Sequence, residues 1–527
     1  MPDLLDTITG SISAMMNQPV TVVLGGGALD FATLAAIGSA NAMVQVDPAG
    51  LERAERGRLT FEAALAAGAP IYGATTGVGA MKDIRLNCEA LAAFNAGLVR
   101  AHHFGIGKPF PADVVRIAIA IRINTALNGH AGCTRQLVEF YVSLLHADVV
   151  PMVRRKGSIG CADIGLMGQI GAVLTGTGEA FYQGRLLPAE AALAVAGLAP
   201  ITMVPKDSLA SISVNAVAYA ASAYALRRAA ATLRMLLGTS LTAAVALGAS
   251  SNPWEAAIHL GTKREAQIGR FLFHASRESG ITPANEVHDP LSLRMMAQVF
   301  APVFEALSHA GTTVLAATGR TDDNPVVIEG RVIASGGSLP LGVAIAMQSA
   351  SLALAHAARN AFNRCVLLGN GGRRGLPVNL VPPGAIATGF GPVVKLAGDL
   401  FMQVLSMAAP VSAQSMAVAG GMEDEATFLP LAIERFEHQV EALSSLAALE
   451  ALLAAQAIDL CGDRPTGLAA MVHAIVRNQA SFYDADRPLS DEIEATKVDL
   501  TAHETLQRLL EIAPLEDFDQ LFALDIA

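Results

Sequence analysis

The chain has 527 residues, 52% of them hydrophobic and 16% charged, with a formal net charge of −11. A chain this apolar has to hide an unusual share of its surface, and contacts between subunits are the simplest way to do so. The acidic balance argues against nucleic acid as a partner, since the densest basic points, Arg154-Arg155-Lys156 and Arg373-Arg374, are short.

In chain order, the first segment, "MPDLLDTITGSISAMMNQPV", carries acidic residues and no basic start, so it does not read as a signal peptide. "TVVLGGGALDFATLAAIGSA" predicts a short apolar strand, a glycine turn and a helix. From about residue 88 onward, Ala/Leu-rich windows with helical spacing dominate. They include "CEALAAFNAGLVRAHHFG", "DVVRIAIAIRINTALNG", "TRQLVEFYVSLLHA", "SVNAVAYAASAYALRRAAATLRMLLG" and "FEHQVEALSSLAALEALLAAQAIDL". Between them lie Gly/Pro/Asn-rich connections at 72–80, 154–170, 281–294, 319–342 and 369–392. These place the conformationally special residues at helix ends, where sites are usually built.

The expected fold is all-α: a bundle of long helices with a small mixed N-terminal lobe. Three consecutive domains are expected, at 1–200, 201–425 and 426–527. Stretches 208–226, 332–358 and 400–422 lack charge and are long enough to span a bilayer. They are interrupted by Ser, Asn, Gln, Gly and Pro and lack basic flanks, so they read as buried core helices and no membrane partner is expected. Five cysteines, at 88, 133, 161, 365 and 461, form no CxxC, and the twelve histidines show no ligand spacing. Reduced thiols, a cytoplasmic location and no metal follow as expectations.

At "IYGATTGVG" (71–79) the chain resembles the aromatic amino acid lyase superfamily, which holds the histidine, phenylalanine and tyrosine ammonia-lyases and related aminomutases. There a "YGxxTGFG"-like loop carries a catalytic tyrosine, matched here by Tyr72. The likeness continues in order: "KGSIG" and "GTGEA" bracket one segment, "PKDSLAS" resembles "KEGLAL", and "HDPLSLR" resembles "QDxYSxR". "DDNPVV" then resembles "SDNP", an "SGG" follows, and "MEDEA" stands where "QEDH" is expected.

The resemblance breaks at the catalytic group. The superfamily builds a methylidene-imidazolone electrophile from Ala-Ser-Gly, whereas "GSIGCADIG" places Cys161-Ala162 in that slot, before Asp163, with no serine to dehydrate. The asparagine that supports the electrophile is Ser213, the second catalytic tyrosine is Leu291, "NFHGEP" is replaced by "SLPLGV", and a glutamate near the substrate ring matches Gln403. The losses fall on the electrophile and its support, while the base loop and the arginine that binds carboxylate, Arg294, remain.

Without the electrophile, elimination needs a substrate with an activated leaving group. A phenol with its ordinary pKa of about 10 acts as base near neutrality only when cationic or hydrogen-bonding neighbours stabilise the phenolate. Arg294 would clamp the carboxylate. A trimethylammonium group carries a permanent charge and departs as neutral trimethylamine. This pattern resembles the electrophile-free ergothionase branch of the superfamily, so the expected reaction is release of trimethylamine from an imidazole-bearing betaine, ergothioneine foremost. No cofactor is expected. Lys395 and Glu423 are placed by the resemblance at the ring end of the pocket. A homotetramer with shared active sites is likewise implied.

Several residues keep two readings at this stage. Arg294 binds substrate or pairs with Asp289; Lys395 binds the ring or snorkels at the surface; Glu423 binds the ring or lies at a helix N-terminus. Asn324 organises its loop or touches the carboxylate. Asp163 faces the quaternary ammonium or caps the helix beginning at Ile164. His102, with His103 in a loop resembling "SHxxGxG", shapes the pocket wall, and Cys161 is a buried thiol. Two rival functions also stand: an ammonia-lyase whose matured group is written as the single letter at Ala162, and a non-catalytic binding relative.

Overall fold

The computed structural model describes residues 19–413 and 416–526, without the side chains of Cys88 and Glu89. Residues 1–18 of the N-terminal segment read as lacking a signal lie outside the described residues. The first strand, Val20–Leu24, pairs in parallel with Ala42–Val46, Val20 opposite Ala42. Parallel strands need a crossover, supplied by the helix Phe31–Gly38, whose N-cap Asp30 accepts from the Thr33 amide at 2.8 Å. This is the small mixed lobe expected from "TVVLGGGALDFATLAAIGSA". Beyond it the architecture is all-α with small two- and three-stranded sheets.

Chain contacts divide the molecule into two compact units rather than three consecutive segments. The first comprises the described part of Met1–Tyr224 with Thr312–Ile345 and Val411–Ile433; the second comprises Ala225–Gly311, Ala346–Pro410 and the described part of Glu434–Ala527. Four of the boundaries fall inside long helices: Ala216–Ala246, Met296–Ala317, Leu341–Asn370 and Leu429–Leu460. Local periodicity marks a helix but carries no information about where along its length the neighbours change.

Among the described residues, four stretches are long and apolar enough to cross a membrane by length and composition. In Asp207–Ala246 and Leu429–Leu460, 94% and 83% of the apolar window is buried within the protein, which accounts for their composition as core.

In the first unit, buried charges fix the segments that matter later. Arg122 grips Asp323 through two bonds of 2.9 and 3.3 Å, and Lys206 Nζ lies 3.8 Å from the same carboxylate. In the second unit, Arg364 pairs with Glu450 at 2.5 Å and donates to the Ser292 carbonyl at 3.1 Å. Asn360 donates to that carbonyl as well, and the Trp254 indole donates to the Leu293 carbonyl at 3.1 Å. The short helix Leu291–Arg294 is thus held from below by buried donors.

Candidate active site

A cavity of about 540 Å³ opens in the first unit. Tyr72, His102, Ser213, Asn324 and Glu423 all line it, together with Cys161, Ala162 and Ser338. Residues from 72 to 423 in sequence therefore meet around one space.

The tyrosine loop is rigidly built. The Thr75 hydroxyl accepts from the Ile71 amide at 2.7 Å and donates to the Ala69 carbonyl at 3.0 Å. Gly73 has φ +65, and a Cβ there would stand 2.6 Å from Leu209 Cδ2, so only glycine fits beside Tyr72. The Tyr72 ring packs on Leu98, Leu209 and Ile212. Its hydroxyl accepts a hydrogen bond of 2.8 Å from the Gly79 amide. That bond stabilises negative charge on the oxygen and leaves the hydroxyl proton for another acceptor.

His102 follows the helix Cys88–Ala101, and its Nδ1 lies 2.7 Å from the Leu98 carbonyl. A carbonyl only accepts, so Nδ1 carries a proton. Asn324 organises its loop, its Oδ1 accepting from the Ser335 amide at 2.9 Å, and the residue also lines the cavity. Glu423 is half-buried, held by a backbone bridge to Val418, while Asp424 and Glu425 are exposed.

The turn at 157–163 sits where the electrophile was sought. Ala162 adopts φ +47, and its amide donates to the Ser338 carbonyl at 2.9 Å. Ser158 Oγ accepts from the Gly160 amide and donates to Asp163 Oδ1, both at 3.0 Å. Asp163 is fully buried and does not line the cavity. It stands at the N-cap position of the helix Ile164–Leu174 yet makes no cap bond there. Its other oxygen instead accepts from the Ala218 amide at 2.7 Å, in the first turn of Ala216–Ala246. Asp163 therefore caps a helix, but not the one that follows it in sequence. Burial pushes its carboxyl up to about 7, against the pull of the Ala218 and Ser158 donors, with Asp322 adding to the rise.

Sequence reasoning missed three residues behind this wall. Asp322 Oδ2 accepts from Asn215 Nδ2 at 2.7 Å, from the Asn215 amide at 3.3 Å and from the Tyr219 hydroxyl at 2.8 Å. Asn215 also donates to the Ser338 carbonyl at 2.9 Å. The signal was present: Asp322 occupies the serine position of the "SDNP" pattern.

Arg294 and Lys395 belong to the second unit. Arg294 is half-buried, and its Nε is buried with no hydrogen-bond partner. The ion pair with Asp289 does not form, because Asp289 takes Arg373 at 2.6 Å and the Ser250 amide at 2.8 Å. Lys395 is exposed on the helix Gly391–Met407. Gln403, on the same helix, donates to Asp399 at 2.9 Å, and Leu291 is exposed.

Residues 29–478 match the family model for aromatic amino acid lyases. The chain belongs to the aromatic amino acid lyase family. This lyase is 30% identical over 491 residues to a histidine ammonia-lyase from Aromatoleum aromaticum, covering 91% of this chain and 93% of that protein. A histidine ammonia-lyase from Pseudoalteromonas atlantica is 29% identical over 500 residues, covering 91% and 96%. Among solved structures, the ergothioneine-degrading enzyme ergothionase from Treponema denticola superposes with a TM-score of 0.87 at 27% identity, covering 93% of this chain and 99% of that one. Histidine ammonia-lyase from Trypanosoma cruzi shares the fold with a TM-score of 0.86 at 23% identity, covering 95% and 98%.

The methylidene-imidazolone of the family does not fit this lyase's turn. Its formation removes water from a serine between alanine and glycine, and Cys161-Ala162-Asp163 offers no such hydroxyl. The nearest hydroxyl in the turn, Ser158, is engaged by Gly160 and Asp163. Among the described residues no group of three or more His, Cys, Asp or Glu could hold a metal ion.

Proposed function

We propose that this lyase releases trimethylamine from ergothioneine, giving thiourocanate, without a methylidene-imidazolone group. The observation that carries the reading is the turn at Cys161-Ala162-Asp163. It retains no serine for the electrophile, while the base loop opposite keeps Tyr72 with its Gly79 donor. The likeness to ergothionase supports the same choice.

In this reading Tyr72 takes a proton from Cβ, the electron pair left behind forms the Cα–Cβ double bond, and the Cα–N bond breaks. Trimethylamine leaves neutral with the bonding pair, so the step needs no further reactant. Acidity at Cβ comes from the attached ring, where Glu423 would accept a ring N–H and Lys395 would face the thione. Arg294, whose buried Nε lacks a partner, would bind the carboxylate. We take the enzyme to be a cytoplasmic homotetramer with shared active sites.

The test is to add ergothioneine to the purified protein and follow the ultraviolet spectrum and trimethylamine together. A new conjugated chromophore with matching amine is the expected result, and silence with ergothioneine overturns the substrate. Ammonia from histidine would instead support the ammonia-lyase reading, and the intact mass would then differ from that of the written sequence.

A further inference from the structure

We propose that Asp322 is a specificity-determining residue that makes the cavity select a substrate bearing a permanent positive charge. The proposal rests on the betaine reading above.

Asp322 and Asp323 are neighbours in sequence and opposites in electrostatics. Asp323 is fully buried and neutralised by the paired bonds of Arg122 and the nearby Lys206. Asp322 is also buried, at 2% exposure, but among the described residues its only ion-pair partner is Arg320 at 3.9 Å, whose side chain is 58% exposed and screened by water. All its donors converge on Oδ2, while the buried Oδ1 accepts no hydrogen bond. A buried carboxylate so poorly compensated is costly. A cation nearby offsets that cost.

The cavity supplies the place for one. Asn215 links Asp322 to the Ser338 carbonyl, and Ser338 lines the cavity, as does Asn324 two residues beyond Asp322. The field reaches the wall: burial first, and then Glu423, Asp322 and Asp163, push the Cys161 thiol up, opposed by its bond to Ser338. Burial also raises the Asp322 carboxyl, whereas Asn215, Tyr219 and Arg320 favour its charged form. A bound cation acts in the same direction.

This floor suits one kind of nitrogen. Asp322 does not itself line the cavity, but a carboxylate just behind the wall favours a primary amine as its ammonium, which cannot add to an electrophile. A quaternary ammonium has no proton to lose and is bound without that penalty. Asp322, added where the "SDNP" pattern has serine, thus fits the absence of an electrophile-forming serine from the turn.

The test uses full-length Tyr72→Phe protein, so that bound ligand is not consumed, and two probes: ergothioneine and its neutral isostere with tert-butyl in place of trimethylammonium. Asp322→Ser and Asp322→Asn, each added to that background, should weaken ergothioneine about ten-fold, the scale of one charge attraction across a partly screened wall. The isostere should change by less than about two-fold, since shape is retained. Equal losses for both probes would mean a structural role and overturn the proposal, as would no change in either. Asp322→Asn, nearly isosteric, keeps the comparison valid if Asp322→Ser folds poorly. The Tyr72→Phe parent separates the two levels of inference. If it binds the isostere as well as ergothioneine, or neither, the betaine reading itself falls and takes this proposal with it.

Discussion

The Gly79 amide donates to the Tyr72 hydroxyl oxygen across 2.8 Å. An amide donor can favour the phenolate but cannot take up a proton, so the proton that Tyr72 gains from Cβ must pass afterwards to solvent or to the departing amine. Removing the oxygen should abolish proton abstraction and little else. Tyr72→Phe should lower kcat by about a hundred- to ten-thousand-fold and alter ergothioneine binding by less than about five-fold. Steady-state turnover and calorimetric binding of the variant check both halves. An unaltered kcat would favour a base other than Tyr72.

The residue after the base has no room to change. Gly73→Ala would force φ +65 on an alanine and press its Cβ against Leu209. We expect a loss of about 2 kcal/mol in stability and a fall in kcat larger than the rise in KM, because Leu209 also packs against the Tyr72 ring. Thermal denaturation and initial rates measure these. A variant as stable and active as the parent would show that the loop yields easily.

Asp163 gives the molecule a pH signature. Its carboxyl keeps a proton in the folded state up to about 7, whereas the unfolded chain releases it near the ordinary value of about 3.9. Its contribution to stability is whole below about pH 4 and is lost as pH rises through about 7. Asp163→Asn, which resembles the protonated form, should therefore show a flatter melting temperature between pH 5 and 8. An identical decline in both proteins would contradict this. Bound quaternary ammonium favours the ionised form, so ergothioneine should bind more tightly as pH passes 7. The proton released should appear in calorimetry as a dependence on buffer ionisation heat.

The proposed sharing of sites has its own test. Tyr72→Phe and Arg294→Ala should each be inactive alone. If the two groups serve one site from different subunits, mixed tetramers should regain about a quarter of native activity after co-refolding. Failure to recover any activity, with mixed tetramers confirmed by mass, would mean that each site draws both residues from one chain.

Much of this was readable from the sequence where the relevant physics is local. The Tyr72 loop, the turn without serine and the long alanine-rich helices are short-range features, and each appears where expected. What escaped is set by pairs far apart in sequence. Asp163 precedes a helix and so invites a cap assignment there, yet it caps a helix whose Ala218 lies 55 residues away. "DDNP" shows two adjacent aspartates, but which one is neutralised depends on Arg122, 201 residues from Asp323. The boundaries between units were hidden for the same reason, since hydrophobic spacing continues unchanged through a helix that passes from one set of neighbours to another.

The first unit is assembled from three separated stretches, and the last of them, Val411–Ile433, carries Glu423. During synthesis the ribosome releases Tyr72 early, then makes Ala346–Pro410, which belong to the other unit, before the final wall of the cavity exists. A nascent chain therefore has its base long before it has a pocket. A message truncated ahead of residue 411 would yield a fragment without a closed site, however well its early helices fold.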